Sequence, residues 1–146
     1  LGVYEVIPVA AKRCVVKLDD KKAAAKRSRW QGIAEAAAKQ SRRGVIPVVR
    51  EVMSMGEAVR YAQNMDVKFI PYELAQDMAH TKELIGAVKP GGCIAVFIGP
   101  EGGFEESEVQ EALQEGIEPI TLGRRILRTE TAGLTVLSWL MYQLET

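Results

Sequence analysis

The feature of this sequence that most constrains its fold is an alternation between short apolar runs and segments with helical periodicity. Four runs rich in apolar and β-branched residues begin at Val45, Val67, Cys93 and Ile117, and they read "VIPVV", "VKFIPY", "CIAVFI" and "IEPITL". Each precedes a segment whose apolar residues recur every three or four positions. Strands that alternate with helices predict an α/β domain with a mostly parallel sheet. A length of 146 residues fits one such domain.

Signals at the ends of elements predict several boundaries. Asp19 and Asp20 are candidate N-caps for a long helix that Gly44 ends. Ser54 and Glu57 have the spacing of a capping box at the start of the next helix. The other predicted elements are a strand at residues 3–9, a second strand at residues 13–18 ("RCVVKL"), and helices in the second part of residues 74–88, at residues 105–116 and from residue 129 onward.

Two of the apolar runs predict strands without a solvent-exposed face. Residues 45–49 are short, apolar and β-branched, which is typical of a buried strand. Residues 93–98 are almost entirely apolar, which predicts a central strand covered on both faces.

Composition excludes several classes of protein. Apolar residues make up 47% of the chain and charged residues 26%, as in globular domains. No apolar run approaches the about 18 residues of a membrane span and no signal peptide is visible, which predicts a cytoplasmic protein. Cys14 and Cys93 lie far apart and His80 is the only histidine, so the sequence predicts reduced cysteines and no metal site.

Charge is distributed unevenly although the net charge is zero. Residues 1–60 carry 13 Lys and Arg against 6 Asp and Glu, whereas residues 61–146 carry 6 against 13. A basic first half indicates a polyanionic partner on one surface. A solvated helix face is the alternative for these charges.

The segment "IGPEGGF" at residues 98–104 contains more glycine than a strand-to-helix connection needs. No Lys-Ser or Lys-Thr follows the glycines, and the spacing is not G-x-G-x-x-G, so neither phosphate-binding motif is present. Gly99, Gly102 and Gly103 allow close approach of a flat ligand and a positive φ. A tight turn without a ligand is the alternative. In open α/β sheets, ligands bind beyond the carboxyl ends of the strands, where residues 70–73 and 122–131 also lie.

Two motifs together resemble the signature of the SPOUT superfamily of RNA methyltransferases. "IGPEGGF" ends at Phe104, and "LGRRILRTETAGL" begins at Leu122. The pattern is most similar to the bacterial small-subunit ribosomal RNA uridine-N3 methyltransferases, the RsmE family. The segments "SRWQGIAEAAAKQSRR" and "RCVVKL" resemble the same family, so the resemblance spans nearly the whole chain.

The resemblance implies a fold, a cofactor and partners. The fold is a deep trefoil knot at the C-terminal end of the α/β sheet, with S-adenosylmethionine (SAM) bent into the knot. The partners are a second copy of the chain, in a homodimer, and ribosomal RNA, either naked or in an assembled small subunit. Family members usually carry an N-terminal PUA-like RNA-binding domain and then the first strand and helix of the methyltransferase domain. We therefore expect residues 1–146 to be a SPOUT methyltransferase domain truncated at its N-terminal side, and Leu1 and Gly2 resemble the end of a helix.

The resemblance also assigns residues to the cofactor and to the reaction. Those expected to bind SAM are Ile70, Pro71, Tyr72, Glu73, Ile98, Gly99, Pro100, Glu101, Gly102, Gly103, Leu122, Gly123, Ile126, Leu127, Arg128 and Thr131. Uracil N3 must lose its proton, which calls for a base and for a cation near the uracil oxygens. We expect Arg128 to be that cation and Glu130 or Glu101 to accept the proton. A dimer salt bridge for Arg128 and a capping role for Glu130 are the alternatives.

Nine cations are candidates for contacts with RNA phosphates, because Arg and Lys neutralise the charge of the nucleic acid backbone. They are Lys21, Lys22, Lys26, Arg27, Arg29, Arg42, Arg43, Arg124 and Arg125.

Two other functions stay open at this point. The first is methylation of ribose 2′-O in transfer or ribosomal RNA, within the same superfamily. The segment "TETAGL" argues against it, because the corresponding stretch of those enzymes typically carries an Asn and a Ser-rich pattern. The second is a non-catalytic RNA-binding module, although nothing in the three segments looks degenerate.

Overall fold

The computed structural model describes residues 1–14 and 18–145. The predicted strand at residues 13–18 therefore lies partly outside the described residues. Along the described chain, seven strands and five helices follow one another in the order β1 (Glu5–Val6), β2 (Val9–Ala10), α1 (Asp20–Gln40), β3 (Val48–Val49), β4 (Met53–Ser54), α2 (Met55–Ala62), β5 (Val67–Pro71), α3 (Met78–Gly86), β6 (Ile94–Val96), α4 (Glu106–Gln114), β7 (Glu118–Ile120) and α5 (Thr129–Leu144).

The second half of the chain is built on three parallel strands. β5 pairs with β6, where Phe69 lies opposite Val96, and with β7, where Ile70 lies opposite Pro119. The strand order is β6-β5-β7. β1 pairs with β3 and β2 with β4, again in parallel. The predicted α/β architecture with parallel strands is confirmed.

Helices cover both faces of the three-stranded sheet. Phe69 and Ile70 are neighbours in β5, so their side chains point to opposite faces. Ile70 is fully buried in a cluster with Val59 of α2 and Val109 of α4. Phe69, 1% exposed, lies in a second cluster with Val136 of α5, against which residues of α3 also pack. The core of this part of the molecule therefore consists of two layers, with β5 between them.

Two helix starts follow the predicted capping residues. The Asp19 side chain accepts a hydrogen bond from the Lys22 amide at 2.8 Å, which satisfies one free donor of α1. At α2, the Glu57 amide donates to Ser54 Oγ at 3.2 Å and the Ser54 amide donates to Glu57 Oε2 at 2.7 Å. This reciprocal pair is the predicted capping box. No helix among the described residues is long and apolar enough to cross a membrane.

The prediction for residues 93–98 is wrong in one respect. β5 is the central strand, and β6 lies at the edge of the three paired strands. The side chains of β6 are all half-buried, because helices cover both faces of the sheet even at this edge. An apolar run thus reports coverage by helices, and it does not report the position of a strand within a sheet.

Three other predicted boundaries differ from the structure. The strand expected at residues 3–9 is divided at Pro8, which has no amide hydrogen, into β1 and β2, and these pair with different strands. α1 ends before Gly44, because Ser41 caps it and Arg42 adopts a left-handed φ of 58°. The run at residues 45–49 is strand only at its end, and Val45 and Ile46 are 52% and 44% exposed.

Candidate functional site

The three parallel strands end at the same edge of the sheet, and the segments that follow them enclose a cavity. Its volume is about 510 Å³, within the roughly 300–1,000 Å³ typical of ligand pockets. Its wall consists of residues 71–73 after β5, residues 98–104 after β6, and residues 121–130 with Ala132 after β7. We call residues 98–104 the glycine loop and residues 122–128 the arginine loop.

The cavity brings together most of the residues that the sequence assigns to the cofactor. Fourteen of the sixteen line it, as do all three candidate catalytic side chains. Ile70 is not among the lining residues, since it is fully buried in the core under the sheet edge. Thr131 also lies outside the wall, in the first turn of α5. Four lining residues were not expected from the sequence, namely Phe104, Thr121, Thr129 and Ala132.

The glycine loop is a tightly packed turn. A Cβ on Gly99 would lie 3.1 Å from the ring of Phe104, which is 9% exposed and packed in the core. The Gly103 amide donates to the Pro100 carbonyl at 2.8 Å, and Gly103 has a φ of 74°, which side chains rarely adopt. Main-chain atoms of residues without side chains therefore form this wall of the cavity.

The arginine loop is held by hydrogen bonds at its start. Gly123 has a φ of 103°, and its amide donates to Thr121 Oγ1 at 3.2 Å. Leu122 is half-buried in the wall, whereas the Ile126 side chain is 88% exposed. This loop thus contributes main chain, apolar carbon and three exposed arginines to the cavity wall.

A hydrogen bond from the residue that follows the arginine loop reaches the glycine loop. Thr129 Oγ1, at the start of α5, donates to the Gly99 carbonyl at 3.0 Å. Ile98 packs beside the same helix, with Cγ1 3.9 Å from a Cβ built on Gly133. The glycine loop and the arginine loop, which are distant in sequence, therefore share one wall.

The outer side of the glycine loop rests on the chain near its N-terminus. Arg13 Nη1 donates to the Gly102 carbonyl at 3.2 Å, and the Lys12 amide donates to Glu108 Oε1 at 2.8 Å. Glu108 is 3% exposed and also accepts the Glu105 amide at 2.9 Å, which caps α4. No signal in the sequence links residues 12–13 to this loop, because the contacting residues are 89 and 96 positions apart in the chain.

Charged side chains of both signs surround the cavity. Arg128, the N-cap residue of α5, lines it together with Glu101 and Glu130. All three are exposed and thus accessible to a ligand at the mouth. The arrangement offers one guanidinium and two carboxylates to a substrate. Within the described residues, no group of three or more His, Cys, Asp or Glu side chains is placed to bind a metal ion.

The nine candidate RNA contacts fall into two groups. Arg124 and Arg125 lie in the cavity wall, whereas the other seven lie in or directly after α1. Two of the seven already bind the main chain, as Arg27 Nε donates to the Val49 carbonyl at 2.9 Å and Arg43 Nη1 to the Val3 carbonyl at 2.7 Å. Lysines such as Lys22 on the exposed face of α1 are therefore better placed for phosphates.

Comparison with known proteins identifies the family. The protein-family model described as RNA methyltransferase domain matches residues 1–141 of this chain. The chain is 40% identical over 148 aligned residues to the ribosomal RNA small subunit methyltransferase E of Bacillus subtilis, which covers 99% of this chain and 58% of the relative. It is 36% identical to a crystal structure of the methyltransferase of that name from Neisseria gonorrhoeae, bound to S-adenosyl methionine, with a TM-score of 0.83 over 96% of this chain and 56% of that one.

A second solved structure, from Legionella pneumophila in complex with the bound cofactor SAM, has a TM-score of 0.88 and 35% identity, and covers 98% of this chain and 57% of that one. Fold, cavity and comparisons thus define an RNA methyltransferase domain. The chain belongs to this family, and within it to the RsmE group of ribosomal RNA small subunit methyltransferases. It spans about 58% of the length of the curated relatives from Bacillus subtilis and Mesomycoplasma hyopneumoniae.

Proposed function

We propose that this chain forms the cofactor-binding and catalytic part of a SAM-dependent methyltransferase that acts on N3 of a uridine in small-subunit ribosomal RNA. The observation that carries the proposal is the cavity shared by the glycine loop and the arginine loop. The cavity coincides with the segments that the resemblance assigns to the cofactor. Two solved structures that are 35% and 36% identical to this chain contain bound SAM. An RNA substrate of this kind supports a location in the cytoplasm, which is part of the proposal.

The residues of the cavity fit an adenosyl group. Gly99, Gly103 and Gly123 leave main-chain atoms open on two walls, so that amides and carbonyls can hydrogen-bond the edge of a purine. Ile98 and Leu122 are half-buried and supply apolar contacts to its faces. Edge contacts from the main chain and apolar contacts from side chains are the combination that small-molecule sites use.

The protein's own contribution to the reaction is alignment and charge. When bound, SAM would supply a methyl group on a positively charged sulfonium sulfur, which departs as a neutral thioether once its bond to the methyl group breaks. Arg128 is placed to stabilise the negative charge that spreads over the uracil oxygens as the N3 proton leaves. Glu101 or Glu130 is placed to accept that proton. Holding the two reactants in line accounts for most of the rate, since oriented proximity is worth about 7–11 kcal/mol.

The proposal includes a trefoil knot and a homodimer, as the family resemblance implies. The knot is taken from the resemblance, and the hydrogen bond from Thr129 to Gly99 brings the segment after β7 against the segment after β6, as a knot at this edge requires. Apolar side chains exposed on α5 support the dimer: Leu134 is 56% exposed and Tyr142 is 90% exposed. Aromatic and aliphatic groups on a surface mark protein interfaces. Light scattering tests this, and Tyr142→Arg is expected to shift a dimer toward monomer.

The cofactor assignment is tested by calorimetric titration of SAM into two glycine variants. Gly103→Val places a β-branched residue at a φ of 74° in the cavity wall, where no neighbouring atom lies within 4 Å of the new Cβ, so that its effect is backbone strain. Gly91→Val is the matched control, with a φ of 89° in the turn before β6 and outside the cavity. We expect loss of SAM binding in the first variant alone. Equal affinity in both variants would contradict the assignment.

The methylated atom is tested separately. Mass spectrometry of nucleosides from ribosomal RNA, in cells with and without the gene, is expected to show loss of N3-methyluridine. Restoration by the wild-type gene, but not by Arg128→Ala, would link this modification to the cavity. A methyl group lost from a ribose instead would favour the 2′-O alternative.

A further inference from the structure

We propose that Thr81 is a positioning residue for the cavity, because its buried hydroxyl group ties the start of α3 to Thr121, which lines the cavity. This inference rests on the proposed function, since it concerns the affinity of the cavity for SAM. Thr81 lies in α3, outside the cavity wall and outside every motif that the sequence analysis singled out.

The Thr81 hydroxyl both donates and accepts a hydrogen bond. Its Oγ1 donates to the Asp77 carbonyl at 3.1 Å and accepts from the Thr121 amide at 3.0 Å. Asp77 is the N-cap of α3 and follows the segment after β5, whereas Thr121 follows β7 and lines the cavity. Thr81 is 1% exposed, so water does not compete for these bonds. A hydroxyl group provides one donor and two acceptor sites, and here it connects the first turn of α3 to the cavity segment after β7.

The connection continues from Thr121 into the arginine loop. Thr121 Oγ1 accepts the amide of Gly123, whose φ of 103° sets the direction of the loop. Met78, one turn before Thr81, lies behind the same glycine, with Cε 3.9 Å from the position of a Cβ on Gly123. α3 therefore supports the start of the arginine loop through one hydroxyl and one methyl group.

Loss of the hydroxyl is expected to act on binding more than on folding. Thr81→Val keeps the shape of the side chain, so the packing of α3 against β7 is retained. The buried Thr121 amide then lacks its hydrogen-bond acceptor. The loss favours other conformations of residues 121–126, in which this amide can bond to a different acceptor. Only the fraction of molecules with the original loop conformation binds the cofactor, and the apparent affinity falls by that fraction.

Two further variants separate positioning from general stability. Thr81→Ser keeps the hydroxyl and is expected to restore the wild-type behaviour. Thr135→Val makes the same substitution in α5, where Oγ1 donates to the Thr131 carbonyl at 2.8 Å within the helix. It removes a hydroxyl whose hydrogen bond runs within its own helix, to Thr131 and not to the arginine loop.

The test combines hydrogen exchange without SAM and calorimetric titration with SAM, on the purified protein. In Thr81→Val we expect faster exchange of the amides of residues 121–126, unchanged exchange in the glycine loop, and SAM affinity weakened about tenfold. Thr81→Ser and Thr135→Val are expected to stay within about twofold of the wild type. If the valine variant does not fold, Thr81→Cys, which keeps only a weak acceptor, takes its place.

Unchanged exchange of residues 121–126 in Thr81→Val would overturn the inference, and so would an equal loss of affinity in Thr135→Val. Failure of the proposed function looks different: the wild type itself then shows no heat of SAM binding, whereas the exchange data still report whether Thr81 holds the loop.

Discussion

The first 50 residues and residues 67–145 differ in how they bury apolar side chains. In the described part of the first region, the buried apolar residues are Ala11, Ala38 and Val49, and large side chains such as Tyr4 and Ile33 are 70% and 56% exposed. The second region contains the large side chains that are almost fully buried, such as Phe69, Ile70 and Ile120, in two layers around β5. The cavity belongs to the second region, and most candidate phosphate contacts belong to the first.

The difference shows what each kind of binding requires. A wall of main-chain atoms must be placed to a fraction of an ångström, and only a closed core behind the loops holds it there. Contacts with phosphates depend mainly on the number of cations on a surface, which a solvated helix such as α1 provides. We therefore expect substitutions in the two regions to affect different properties, and the predictions below test that separation.

The largest effect is expected for Gly99→Val in the second region. The new side chain would press against the ring of Phe104, which the core does not allow to move, so the glycine loop must shift. We expect SAM affinity, measured by calorimetry, to fall at least about 100-fold, or about 2.8 kcal/mol. Gly32→Val, in α1, is the matched control, since nothing lies within 4 Å of its new Cβ. Equal losses in both variants would show that the regions are not separate.

A smaller effect is expected when the charge on α1 is removed. Lys22, Lys26 and Arg29 follow one another at helical spacing on one face. In the triple Gln variant we expect RNA affinity to fall about tenfold and the slope of log K against log salt to become less steep by about 2. Filter binding over a series of salt concentrations measures both. SAM affinity is expected to stay the same. The control is a triple variant in which Lys68, Lys82 and Lys89 of the second region are replaced by Gln, and it should leave RNA binding unchanged.

In the first region, acid is expected to act through Glu5. Burial acts to raise the pKa of this carboxyl, but hydrogen bonds from Tyr61 at 2.6 Å and Arg50 at 2.7 Å outweigh it, so its pKa lies below the usual value. The carboxylate therefore stabilises the fold above the unfolded pKa of about 4.3, and this contribution is lost as the pH falls through the folded pKa.

Urea unfolding of Glu5→Gln measures this contribution. We expect the variant to be less stable than the wild type by about 1 kcal/mol at pH 7, with the difference shrinking from about pH 5 to pH 3. Glu51→Gln, whose side chain is 86% exposed and 3.9 Å from Arg27, is the control and should change stability little. A difference independent of pH would show that the carboxylate charge does not matter.

The smallest effect is expected for Gly102→Ala in the glycine loop itself. Its φ is not positive, and a Cβ there would lie 3.5 Å from Cβ of Arg13, an ordinary contact. We expect SAM affinity within about twofold of the wild type. A large loss of affinity would mean that a methyl group on Gly102 collides with the bound ligand. Gly102 would then join Gly99 and Gly103 as a position of the loop that requires glycine.

The parts of the fold that depend on neighbouring residues were predictable from the sequence. Caps at Asp19 and Ser54 use contacts within one helical turn, and both are present. The position of β6 at the sheet edge was not predictable, since strand order depends on pairing between residues far apart in the chain. The end of α1 was missed because Arg42 takes the left-handed conformation that glycine usually takes.

In the candidate site, too, some residues were predictable from the local sequence and others were not. Gly99, Gly103 and Gly123 were visible because glycine at a strand end marks unusual backbone, and all three line the cavity. Thr81 supports the wall through a hydrogen bond to a distant segment, and a lone threonine within a helix gives no such signal.

The central claim is that the glycine loop and the arginine loop together hold an adenosyl group, and a crystal structure of the protein with SAM tests it most directly. We predict electron density for the adenine ring between the two loops, with its edge within hydrogen-bonding distance of main-chain atoms of residues 122–127. Density for SAM at another place on the molecule, with this cavity empty, would contradict the account.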